Sequence, residues 1–286
     1  MTDSHPNNKG GEAAEKTSAN GVFLVLEGTD GSGKTTQFNH LHERLIREGY
    51  SVEVIKFPQY DSESSYFVRE YLAGKYGSAE DVGPYTGSIF YALDRFAAAN
   101  HIRESVAAGK VVMADRYVGA NMAHQGLKFD NDEERNGYFI WLDAIEFKMF
   151  KIPRPDLSIV LRVPSEISAQ LIEKRNEKKD IHEQDPEHGR KALKVFDDIC
   201  RLFPDDFKQL DCVRGNKLLP IETIHDLIWE TINPLLPAKE TMHMAANKEV
   251  PEDQENPYVV KTENGYQITS AGKNKLEELL TNTSDN

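Results

Sequence analysis

The chain has 286 residues, enough to bury one large core, and a formal net charge of -13. That acidity argues against nucleic acid or an anionic membrane as the principal partner, since both recruit an excess of Lys and Arg. No stretch reaches the roughly 18 apolar residues of a membrane span, the N-terminus lacks an apolar signal core, and Cys200 and Cys212 are too few for a disulfide framework, so a cytoplasmic protein with reduced thiols is expected.

Residues 1–20 are polar and rich in Asn, Gly, Ala, Glu and Lys, the composition of a disordered tail. Val22 to Leu26 is a continuous apolar run suited to a parallel strand buried on both faces, and Phe38, Leu41, Leu45 and Ile46 recur at helical spacing behind it. Between them stand Gly28, Thr29, Asp30, Gly31, Ser32, Gly33, Lys34 and Thr35, which fit G-x-x-x-x-G-K-[ST]. Glycines there let backbone N–H groups turn toward phosphate oxygens, and the helix N-terminus adds positive potential. Lys34 is expected on the β and γ phosphates of a nucleoside triphosphate, and Thr35 on Mg²⁺.

Gly49 reads as a helix stop, and Ser51 to Phe57 as a second strand ended by Pro58. A short helix is expected around Tyr66 to Leu72, then a Gly-containing loop and a longer helix from about Pro84 to Ala108. Val111 to Ala114 is a third strand carrying Asp115 and Arg116 at its C-terminal end, Leu157 to Val163 a fourth, and Gln209 to Val213 a weaker fifth. Alternation of strands with helices predicts a P-loop NTPase-type α/β fold, a parallel sheet with helices on both faces, with ligands at the C-terminal edge of the strands. Lys239 to Asn256 is acidic and polar and reads as a linker. Beyond it, Tyr258 to Val260, Gly265 to Thr269 and a helix over 270–280 suggest a small C-terminal extension.

Together with the phosphate loop, Phe57-Pro58-Gln59-Tyr60, Ile89 to Phe96 and Asp115-Arg116-Tyr117 resemble, in order and spacing, the motifs of the thymidylate kinase family. The resemblance covers roughly residues 21–237, followed by a linker over 238–256 and the extension over 257–286. It implies the reaction ATP + dTMP giving ADP + dTDP with Mg²⁺, and a homodimer. It also implies that Tyr91 stacks on the thymine while Arg95, one helical turn on, donates to the base. Arg116 would hold the substrate phosphate, Asp115 the Mg²⁺ and its waters, and Asp30 would approach the 3′-hydroxyl. Phe57 would line the base pocket and Tyr60 bond the phosphate, with Asn121 either reading the thymine edge or capping a helix.

Three features depart from the family's pattern. Gln59 and Tyr60 stand where many relatives carry an arginine, and His124 where a tyrosine near the sugar is common. The phosphate loop lacks an arginine at Gly31 or Ser32, which assigns the missing charge to a lid over about 165–183. There Arg175 is the first choice among Lys174, Arg175, Lys178 and Lys179, with Asp180 and Glu183 as the acidic end. A deoxynucleoside kinase is the nearest alternative, but it needs a base for a neutral hydroxyl, and only Glu27 or Asp115 is at hand. A regulatory ATPase is more remote, and Asn216-Lys217-Leu218-Leu219 lacks the aspartate of a guanine-reading motif.

Overall fold

The computed structural model describes residues 21–174, 186–238, 259–262 and 265–268. Residues 1–238 form one unit and residues 239–286 a second.

In the first unit, β1 (Val22–Gly28), β2 (Val52–Lys56), β3 (Val111–Asp115), β4 (Leu157–Arg162) and β5 (Phe207–Asp211) make one parallel sheet in the order β2-β3-β1-β4-β5. The two-residue side-chain period of a strand divides its residues between two cores. Phe23, Val25, Val112, Ala114 and Val160 face one side, where α3 (Ala79–Ala107), α5 (Asp132–Asp143) and α7 (Pro186–Leu202) pack through Ile102, Tyr138, Phe139 and Ile199. Val22, Leu24, Leu26, Val111, Met113 and Ile159 face the other, covered by Leu41 and Leu45 of α1 (Lys34–Arg47) and Ile224 and Ile228 of α8 (Ile221–Ile232). Because both faces are covered, the central strands β1, β3 and β4 read as largely apolar runs rather than as alternating ones.

The strand order reverses at β1, whose helix leads to β2 on one side while β4 and β5 lie on the other. Ligand crevices form at such a point. β1 and β3 end side by side there, with Leu26 paired to Asp115 and the Arg116 N–H donating to the Leu26 carbonyl at 3.2 Å.

Two boundaries differ from the sequence expectation. The long helix begins at Ala79 rather than Pro84, because Ser78 and Asp81 form a capping box. The non-helical Gly83 (φ 70°) then lets the chain restart at Pro84. The fifth strand starts at Phe207, two residues earlier than expected, and ends at Asp211, because Ser158 to Arg162 pair with 207–211. α2 (Tyr66–Leu72) lies where it was expected, and a two-residue ribbon, β6 (Val213–Arg214) with β7 (Lys217–Leu218), follows β5.

In the second unit, β8 (Val259–Thr262) and β9 (Gly265–Ile268) form an antiparallel hairpin with Val259 opposite Ile268. The N-terminal tail, the linker and the expected helix over 270–280 lie outside the described residues. Among the described residues no helix is long and apolar enough to cross a membrane.

Candidate functional site

The phosphate loop joins β1 to α1 through Gly33, the left-handed N-cap of the helix (φ 82°). Lys34 is buried beneath the loop, donating to the carbonyls of Gly28 at 2.8 Å and Thr29 at 2.7 Å. Burial, reinforced by repulsion from Arg116, pushes its ammonium down to about 7, against the attraction of Asp30, whose Oδ1 lies 3.9 Å away. Thr35 is exposed on the first turn of α1. α6 (Ser165–Lys174) packs against the loop, so that a Cβ at Gly31 would stand 2.7 Å from the Ser168 carbonyl oxygen. No side chain fits at Gly31, which rules out that one of the two positions for a loop arginine.

Arg116, directly after β3, has φ 68°, a conformation that costs a non-glycine residue roughly 1–2 kcal/mol. Its guanidinium lies over the loop, donating to Asp30 Oδ1 at 2.6 Å and standing 3.0 Å from His124 Nε2. Burial would raise the Asp30 carboxyl, but the charges of Arg116 and Lys34 outweigh it and hold the group down at about 2. Asp115 and Arg116 therefore do not form a pair with each other. Asp115 faces Lys56 at 3.8 Å, and Arg116 is committed to Asp30.

α4 (Val118–Gly126) follows at once, and the N-cap residue Tyr117 supplies no side-chain cap. Glu27, at the end of β1, does so from 90 residues away: its Oε1 accepts the Tyr117 N–H at 2.8 Å and the Ala120 N–H at 3.1 Å. A Cβ at Gly119 would sit 3.0 Å from that oxygen, so the glycine makes room for the cap. Glu27 is fully buried, and burial pushes its carboxyl up to about 6 despite these bonds. Held in this way, it is an anchor for the Asp115-Arg116-Tyr117 turn rather than an accessible base.

One cavity of about 640 Å³ runs from Asp30 and Arg116 to Tyr91, Arg95 and Asn121. Phe57, Tyr60 and His124 also line it. Phe57 is buried, its ring 5.4 Å from that of Tyr117, and the Phe57-Pro58 peptide is cis. Tyr60 is exposed at the mouth. Gln59 turns away, its backbone N–H and side-chain amide donating to the buried Asp94 carboxylate at 2.8 and 3.2 Å, so it supplies no contact at the position of the family's arginine.

Arg95 is not a solvated surface charge. It is buried, with Nε donating to Glu146 Oε2 at 2.9 Å and a second nitrogen bonded to Glu146 Oε1. Burial opposes its charge, but the Glu146 carboxylate more than compensates and raises its pKa. Asn121 is not a helix cap either. It is buried inside α4, with Nδ2 donating to the Ser88 carbonyl at 3.2 Å and to Glu146 Oε1 at 3.4 Å, while its Oδ1 has no hydrogen-bond partner. Tyr138 closes the network, its hydroxyl 2.8 Å from Ser88 Oγ. Sequence reasoning missed Glu146. The available signal was a lone acid within the otherwise mostly apolar stretch from Ala144 to Phe150. Arg175, Lys178, Lys179, Asp180 and Glu183 lie outside the described residues, and α6 carries the start of the expected lid. Cys200 and Cys212 are free thiols, both pushed up to about 12 by burial.

The family described as thymidylate kinase matches residues 26–228. The thymidylate kinase of Mycobacterium tuberculosis (strain H37Rv) is 27% identical over 184 residues, covering 62% of this chain and 85% of the relative. A Pyrococcus horikoshii protein named "Probable thymidylate kinase" is 32% identical over 213 residues, covering 72% of this chain and 92% of the relative. A solved thymidylate kinase structure from Candida albicans shares the fold, with a TM-score of 0.58, 23% identity and coverage of 76% of this chain and 92% of the other.

Proposed function

Because the chain belongs to the thymidylate kinase family, we infer that it transfers the γ-phosphoryl group of ATP to dTMP, giving ADP and dTDP. The observation that carries this reading is the single cavity that joins the phosphate loop to an aromatic and amide-lined end sized for a nucleotide. In this reading the loop cradles the ATP phosphates, with Lys34 swinging from its carbonyl partners onto the β and γ oxygens. Arg116 holds the dTMP phosphate in line, and its strained backbone and Asp30 partner fix the guanidinium before substrate arrives. Tyr60 lies at the mouth on the same phosphate. Asp30 and His124 flank the sugar. Phe57 and Tyr91 sandwich the base, and Arg95 and Asn121 meet its edge.

A phosphate oxygen of dTMP forms the new bond to the γ phosphorus as the bond to the ADP oxygen breaks. The second pKa of a phosphate monoester is near 6, so at pH 7 the attacking oxygen has no proton to lose and no general base is required. A deoxynucleoside kinase would need one, and Glu27 is buried and committed to the N-terminus of α4. The exposed Thr35 hydroxyl and Asp115 would hold Mg²⁺, which would supply neutralisation of the triphosphate charge. One hydroxyl and one carboxylate suit a cation carried mainly by phosphate oxygens and water. Arg175 would close over the transferring group from the lid that α6 begins, excluding water. A cytoplasmic homodimer belongs to the same reading, and sedimentation checks the assembly.

The test is ADP release with ATP and Mg²⁺ against dTMP, dUMP, UMP, CMP and thymidine as separate acceptors. Strong preference for dTMP is expected, and a preference for thymidine or a ribonucleotide would overturn the pocket assignment.

A further inference from the structure

Glu146 has no place in the reaction as described, yet it is fully buried behind Arg95 and Asn121, which line the cavity. It sits in the π turn Ala144–Met149 that continues α5. A carboxylate removed from water is tolerated only where charged and polar partners replace its hydration, and here they are Arg95 and Asn121, the two side chains that face the base. We propose that Glu146 is a positioning residue that sets the donor and acceptor pattern of the base-reading edge, and so makes the site select a 4-keto over a 4-amino pyrimidine. The proposal rests on the base-pocket reading above.

Hydrogen-bond polarity sets the pattern. Glu146 takes Nε and one terminal nitrogen of Arg95 in a fork, and the Tyr117 carbonyl lies 3.4 Å from the other terminal nitrogen. A guanidinium has five N–H groups, so donors remain for the cavity. The same carboxylate, with the Ser88 carbonyl, accepts from Asn121 Nδ2. Turning that amide over would set Oδ1 against two acceptors, Glu146 Oε1 and the Ser88 oxygen, one of them ionised. The amide is thereby locked, which accounts for the buried Oδ1 being left without a partner on a residue that lines the cavity. The edge therefore presents donors from Arg95 beside an acceptor from Asn121. Thymine and uracil offer the complement, an accepting O4 beside a donating N3–H. Cytosine offers the reverse, a donating amino group beside an accepting N3, and would leave buried groups unpaired on both sides.

Glu146→Gln tests this, because a glutamine can present an N–H to Asn121 and release the lock. The expected result is a dTMP KM raised about tenfold and a preference for dTMP over dCMP reduced about tenfold, with the ATP KM within about twofold of the parent. A residue that only supports the fold would move both KM values together and leave the preference between the two acceptors intact, and that result overturns the proposal. If Glu146→Gln does not fold, Glu146→Asp decides. It keeps the charge but withdraws it by one methylene, so a smaller rise in dTMP KM with part of the preference retained supports the proposal, and unchanged dTMP KM and preference reject it. Tyr91→Ala run alongside separates the two readings. If Tyr91→Ala leaves the dTMP KM unchanged, the base pocket itself is misassigned and the proposal falls with it. If it raises the KM while neither Glu146 variant does, the proposal alone fails.

Discussion

At the phosphate end of the proposed site, eight consecutive residues from Gly28 to Thr35 make the loop, whose backbone would do most of the holding. At the base end of the proposed site, Arg95 from α3, Asn121 from α4 and Glu146 from the turn after α5 hold one another through side chains, and Tyr91 lines the cavity beside them. The difference separates chemistry from stability. A side chain over a backbone cradle can be removed without unfolding the cradle, whereas a side chain that is both ligand and buried counter-charge cannot.

The largest expected effect lies at the phosphate end. Lys34→Ala should lower turnover with every acceptor by on the order of 10⁴-fold. Its unfolding midpoint should stay the same or rise, because the buried ammonium is held at a depressed pKa and removing it relieves a desolvation cost. ADP release and denaturant titration on one preparation check both halves, and near-normal turnover would break the comparison at its strongest point. Arg95→Met should behave in the opposite way. Removing one partner of the buried pair with Glu146 is expected to cost about 3–4 kcal/mol of stability, read by urea unfolding, along with a raised dTMP KM. A variant as stable as the parent would show that the base end is not built from mutual side-chain support.

Glu27 belongs to both ends, since it leads into the loop and caps the helix that carries Asn121. Its carboxyl has a folded pKa of about 6 against an ordinary 4.5, so between those values the folded chain binds more protons than the unfolded one. Its contribution to stability therefore falls as pH rises through that window and is level above it. Glu27→Gln does not titrate, so its stability relative to the parent should rise by about 2 kcal/mol between pH 4.5 and 7.5. Urea midpoints at the two pH values measure the gap, and a gap independent of pH would remove the burial penalty from the account. The smallest effect is at the edge of the base network. Tyr138→Phe loses the hydroxyl bond to Ser88 and should cost about 1 kcal/mol, with the ATP KM unchanged. A large loss of dTMP affinity in that variant would extend the reading edge one residue further than Asn121.

Neighbouring residues alone specify the parts whose physics is local. Apolar runs marked three of the five sheet strands closely, alternating Val and Ile marked β2, glycine spacing and Lys34 marked the loop, and the four-residue spacing of Tyr91 and Arg95 put both on one helix face. Ser78 and Asp81 also carried a legible capping signal, but Pro84 drew the predicted helix start away from it. The rest depends on contacts between segments far apart in the chain. Glu27 caps a helix 90 residues away, Glu146 pairs with Arg95 across 51 residues, and Gln59 folds back onto Asp94 across 35. Hydrogen-bonding preference and side-chain periodicity act within a turn or two of chain, so they can be read from neighbours. Which buried charge meets which counter-charge depends instead on how the strands and helices are stacked, because only in the closed core does the loss of water force each ionised group onto one partner.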